Sequence, residues 1–89
     1  MEFEWDPDKA DRNIRTHGVS FEEASTVFAD ALSLTVADPD HSQREERWLI
    51  FGQTEANRHL VVSFTERGTR IRLISAREMT RNERQAYEQ

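Results

Sequence analysis

The sequence of 89 residues contains no cysteine. That removes disulfides and thiolate metal ligands together. Its three glycines, Gly18, Gly52 and Gly68, stand far apart, so there is no glycine-rich loop to cradle a phosphate. No serine sits in the strained strand-to-helix elbow of the hydrolases. No apolar run approaches the ~20 residues of a membrane helix. The opening Met1 to Asp6 is acidic and lacks the apolar core of a secretory signal. His17, His41 and His59 show no ligand spacing, so no metal site is expected. The cluster Asp38-Pro39-Asp40-His41 reads as a solvated turn rather than a cation site. These absences point to one small domain, residues 1–89, cytoplasmic, away from membranes and without a cofactor.

Lysine is almost missing too: 11 of the 12 basic residues are arginine, and Lys9 is the exception. The formal net charge is −5, but it is unevenly spread. Residues 1–46 carry 12 acidic and 4 basic side chains, whereas residues 47–89 carry 5 acidic and 8 basic. Such a split suggests a basic working face and an acidic remainder.

The pattern along the chain predicts an α+β fold. Glu2 to Trp5 alternates like a short strand. Asp6-Pro7 supplies a cap and a first-turn proline for a helix over Pro7–Thr16, stopped by Gly18. Ala10, Ile14 and His17 form its expected inner stripe, which makes His17 a packed residue. Ser20 with Glu23 is a capping-box pattern for a second helix, with Phe21, Ala24, Val27 and Phe28 inward. Strands are expected at Leu32–Val36, Arg47–Thr54, His59–Glu66 and Arg70–Ala76, with a polar loop over Asp38–Ser42. Thr80 with Glu83 opens a last short helix through Tyr87. The expected result is an antiparallel sheet of three to four main strands. Two N-terminal helices pack on it, and a short C-terminal helix lies at its end.

The arginines of the second half are the strongest chemical signal. Arg67, Arg70, Arg72, Arg77, Arg81 and Arg84 follow one another closely. Arg70 and Arg72 share a strand face, and Arg81 and Arg84 are helix neighbours. Arginine offers a planar donor fork suited to phosphate. Tyr87 is placed to stack a base. The plainer reading is a solvated face, with Glu66, Glu78 and Glu83 as ion-pair partners. RNA cleavage without a metal needs proton carriers as well as cations to hold phosphate charge. Glu66, His59, His17 and Tyr87 are the groups available for proton transfer.

Motif order then adds a family. The sequence resembles the BrnT family, also known as DUF497. Phe3-Glu4-Trp5-Asp6, Lys9, Asn13 and His17-Gly18-Val19-Ser20-Phe21-Glu22-Glu23-Ala24 carry the first part of the likeness. Glu45-Glu46-Arg47, Ile50-Phe51-Gly52, Thr65-Glu66-Arg67 and Ile71 through Arg77 carry the rest, with Thr80, Glu83, Arg84 and Tyr87 closing it. The departure is Thr16, where the family usually has a basic residue; Arg15 stands beside it. The resemblance implies a RelE-like fold and a toxin of a type II toxin–antitoxin system that cleaves RNA and stops translation. It also implies a BrnA-like ribbon-helix-helix antitoxin as partner, with operator DNA reached only through that antitoxin. On this reading Arg67, Arg77 and Arg81 hold the phosphate, Glu66 and His17 carry protons, and Arg70, Arg72, Arg84 and Tyr87 contact RNA. The competing reading is a non-catalytic module that pairs with an antitoxin-like DNA-binding protein.

Overall fold

A computed structural model describes residues 1–38, 40 and 45–89. Pro39, His41, Ser42, Gln43 and Arg44 lie outside the described residues, and with them part of the expected loop. The chain runs β1 (Glu2–Glu4), α1 (Pro7–His17), α2 (Phe21–Ser25) and a 3-10 turn (Thr26–Ala29). Then come β2 (Leu34–Ala37), β3 (Trp48–Gln53), β4 (His59–Arg67), β5 (Arg70–Glu78) and α3 (Arg81–Tyr87).

Local chemistry sets the element ends. The Asp6 side chain accepts from the Asp8 amide at 2.8 Å, and Pro7 begins α1. Gly18 closes it in the left-handed region at φ 68°, donating to the Ile14 carbonyl; a residue without Cβ adopts that conformation at no steric cost. Thr80 and Glu83 form the full reciprocal capping box. At α2 only half of the expected box exists. Ser20 accepts from the Glu23 amide, but the Glu23 carboxylate turns away to Arg58.

The sheet order is β1-β5-β4-β3-β2, with β2 through β5 antiparallel and β1 parallel to β5. The α+β fold is as expected, with five strands among the described residues once β1 joins the main ones; the uniform antiparallel pairing expected from sequence is corrected, because β1 runs parallel to β5 and the sheet is mixed. The reason lies in β1. Phe3 packs its ring on Phe28 at 5.1 Å and Trp5 packs on Phe21 at 5.8 Å. These contacts draw the first residues across to the far edge of β5.

α2 and the 3-10 turn cover one sheet face. The core there includes Val19, Phe21, Ala24, Val27, Leu60, Val62, Phe64 and Leu73. Gly52 lets the turn approach closely, because a Cβ there would stand 2.7 Å from Val27 Cγ1. The opposite face is only partly covered by α3, which buries no residue of its own. β2 forms the other edge, and Leu32, Leu34 and Val36 beside or within it are exposed. No helix among the described residues is long and apolar enough to cross a membrane.

β5 has an unusual outer edge. β1 covers it only from Arg70 to Arg72. Beyond, an irregularity leaves Ile74 unpaired between Leu73 and Ser75, as in a β-bulge. The edge is then taken over by a side chain. Asn13 of α1, 6 % exposed, accepts from the Ala76 amide at 3.0 Å and donates to its carbonyl at 2.8 Å. Its amide also donates to the Val19 carbonyl at 2.9 Å. One carboxamide thus does the work of an adjacent strand.

This placement corrects the expected stripe of α1. The helix turns Ala10 and Asn13 inward, while Ile14 and His17 face solvent. His17 is exposed, and its side chain forms no hydrogen bond among the described residues, rather than packing into the core. The bonds of Asn13 fix the helix rotation.

Candidate functional site

The C-terminal arginines lie on the sheet face opposite the core, but they divide into two groups. At the β4–β5 hairpin, Arg67, Arg70 and Arg72 gather around a carboxylate that the sequence pattern did not nominate. Glu4 of β1 accepts from Arg72 at 2.9 Å, with Arg70 at 3.6 Å and Arg67 at 3.9 Å. The Arg72 hydrogen bond and the three positive charges hold the Glu4 carboxyl below its ordinary range against desolvation. Glu2 stands 3.6 Å from Arg70. Among the described residues, neither Glu66 nor Glu78 comes within ion-pair distance of an arginine or lysine, although the Glu78 charge is felt by Arg58. Glu66 instead faces the core side, in a shallow groove with Trp48, Phe64 and Ile71.

Arg77 lies at the far end of β5, opposite Val61, whereas Arg67 lies opposite Arg70. The seven steps from Arg70 to Arg77 span on the order of 20 Å of strand. The structure therefore does not bring Arg67 and Arg77 to one spot. Arg77 makes a two-pronged contact with Glu83 of α3, at 2.8 and 3.0 Å. Glu83 also accepts from the Thr80 amide at 2.8 Å. The Arg77 hydrogen bond, helped by that amide, pulls the Glu83 carboxyl down to about 2. Such a depressed group contributes stability above its unfolded value near 4.5 and loses it as pH falls toward 2. Acid unfolding should show this: the stability difference between wild type and Glu83→Gln, measured by denaturant titration, should shrink steadily from pH 5 to about pH 2. A difference independent of pH would remove the clasp as its cause.

Tyr87 ties down the end of α3. Its hydroxyl donates to Asp30, and its ring meets His59 edge-on at 5.5 Å. Burial, then the Asp30 bond, pushes the Tyr87 phenol up to about 12. Burial opposes ionisation of Asp30, yet bonds from Tyr87 and the Gln53 and Leu32 amides outweigh it and hold the carboxyl low. Arg84 pairs loosely with Glu88 at 3.6 Å. Arg81 is exposed without an ionic partner among the described residues.

The cations without carboxylate partners among the described residues are Lys9, Arg12, Arg15 and Arg81. Two of them line a groove of about 240 Å³ between α1 and the bulged edge of β5. Its walls are Lys9, Arg12, Asn13, Thr16 and His17 on one side, and Ile74 and Ser75 on the other. Lys9, Arg12 and Thr16 follow the helical spacing that puts side chains on one face. No carboxylate lines this groove. Its helical wall is held firmly. Asn13 bonds to Ala76 and Val19, and Arg58 donates to the Gly18 carbonyl at 3.0 Å while gripping Glu23 at 2.7 Å. The arrangement suits an anion held beside an imidazole that can move a proton.

Of the residues nominated from sequence, His17 lies in this groove. Arg77 lies two residues from Ser75 on the same face of β5. Lys9, Arg12, Thr16 and Ser75, which also line the groove, were not nominated. The signal for Lys9 was present, since it is the single lysine and belongs to the motif series. Arg12 gave none, because charge averaging assigned it to the acidic half.

A family model described as "Ribonuclease toxin, BrnT, of type II toxin-antitoxin system" matches residues 5–83. No match was found among curated proteins. Among solved structures, the chain is similar to the 1.1 Å crystal structure of the Brucella abortus ribonuclease toxin BrnT. The TM-score is 0.67 at 21% identity, over 91% of this chain and 99% of the other.

Proposed function

Since the chain belongs to the BrnT family of ribonuclease toxins from type II toxin–antitoxin systems, we propose that it is a metal-independent endoribonuclease that stops translation in the cytoplasm. The observation that carries this reading is the groove between α1 and β5, where Lys9 and Arg12 stand unpaired beside His17. In this reaction the ribose 2′-oxygen loses its proton and attacks phosphorus. The bond from phosphorus to the 5′-oxygen breaks, and that oxygen gains a proton. His17 moves the protons, and Lys9 and Arg12 hold the charge that builds on the phosphate. Arg77 and Arg81 serve the same phosphate-holding role from β5 and α3. Arg67, Arg70, Arg72 and Arg84 steer the RNA strand. Glu66 faces away from this groove, and so His17 is the preferred proton carrier.

The partner is a BrnA-like ribbon-helix-helix antitoxin, and operator DNA is reached through it. The exposed Leu32, Leu34 and Val36 along the β2 edge offer that partner an apolar strip. The purified protein should cleave RNA undiminished in excess chelator, and the product of the adjacent gene should suppress the cleavage. Activity lost on chelation would overturn the metal-free reaction. Intact RNA in every condition would favour the non-catalytic module.

A further inference from the structure

α3 is an underpacked element. It buries no side chain. An apolar slot of about 210 Å³ is left between it and the sheet, among Leu34, Phe51, Ala86 and Tyr87. Two polar clasps hold it, Glu83 on Arg77 and Tyr87 on Asp30. The first clasp matters most, because a carboxylate meeting a guanidinium in two prongs presents the same acceptor geometry as a phosphate. Ser75 lines the groove, and Arg77 lies about 7 Å further along the same strand face.

Building on the ribonuclease reading, we infer that Arg77 is a second phosphate-binding position continuous with the groove, that Glu83 occupies it in the free protein, and that an RNA phosphate displaces the Glu83 carboxylate from it. The phosphodiester backbone then runs from Lys9 and Arg12 past Ser75 to Arg77. Glu83 is a competitor carried by the chain itself, so its removal strengthens RNA binding.

Glutamine at position 83 is the suitable probe. It retains the acceptor that caps Thr80 but loses the charge. Binding is measured with a 2′-O-methyl RNA oligonucleotide, which lacks the attacking hydroxyl and cannot be cleaved. Glu83→Gln should bind about three- to fivefold tighter than wild type. Its plot of log affinity against log salt should steepen by about 0.7, the value for one added phosphate contact to a single strand. Glu22→Gln removes the same charge from an exposed position of α2 that pairs with no arginine among the described residues, and it should leave the slope unchanged. Tyr87→Phe, which opens the second clasp without touching Arg77, should also tighten binding. Equal effects of Glu83→Gln and Glu22→Gln would overturn the inference, as would an unchanged slope in a Glu83→Gln protein that melts cooperatively. A wild type that binds the oligonucleotide but cleaves no RNA would instead overturn the catalytic reading, and the comparison of the variants would still decide the role of Arg77.

Discussion

RNA cleavage by the His17→Ala protein is expected to fall by about a hundredfold to ten-thousandfold, the range for losing a positioned proton carrier. Stability should barely change, because His17 is exposed and its side chain makes no hydrogen bond among the described residues. Arg12→Ala should cost about a hundred- to thousandfold through lost stabilisation of the phosphate charge. Arg12→Lys should restore part of it, since an ammonium supplies charge without the guanidinium fork. Arg15→Ala is the matched control: it removes an equally unpaired cation from the same helix but not from the groove. It should cleave within about twofold of wild type, as a screened surface charge contributes little. The measurement is single-turnover cleavage of a labelled RNA. Near-wild-type rates for both His17→Ala and Arg12→Ala would move the site elsewhere, with Arg81 and the hairpin arginines next to be examined.

The second large effect is on the fold. Asn13→Ala is expected to destabilise the protein by about 3–5 kcal/mol, because the Ala76 amide and carbonyl and the Val19 carbonyl all lose a buried partner. For a small domain that is a large share of the total. Asn13→Asp should be worse. It keeps an acceptor for the Ala76 amide but aims a negative charge at two carbonyl oxygens. Urea titration of the two variants provides the numbers. A loss below about 1 kcal/mol in Asn13→Ala would mean that water replaces the carboxamide and that the helix rotation is fixed by other contacts.

Much of the fold was legible because its signals are local. Asp6-Pro7, Gly18 and the Thr80–Glu83 box mark helix ends through contacts a few residues apart. Apolar, β-branched and aromatic runs bounded by turn residues mark the strands of the second half. The misreadings share one cause: they depend on residues distant in sequence. β1 pairs with residues 70–72 in a direction that no pattern in Glu2 to Glu4 specifies. His17 was placed inward by the spacing of Ala10 and Ile14, but the bonds of Asn13 to Ala76 decide which side of α1 meets the sheet. The arginine-rich stretch was visible in composition. Its division was not, because Glu4 and Glu83 gather guanidiniums from opposite ends of β5. The groove is a product of the same distance effect. Its cations come from the acidic half, and its opposite wall comes from the basic one.

The union of Asn13 with Ala76 also sets an order of events during synthesis. The two partners are 63 residues apart, and β1 likewise waits for residues 70–72. Pairings between such distant segments form late. A nascent chain on the ribosome carries Lys9, Arg12 and His17 early, but it has no strand to set them against until residue 76 has emerged. An abortive product that stops before β5 therefore holds these side chains without a groove. On the ribonuclease reading, interrupted translation leaves inert fragments, and the ability to cut RNA appears only when synthesis of the last strand is done.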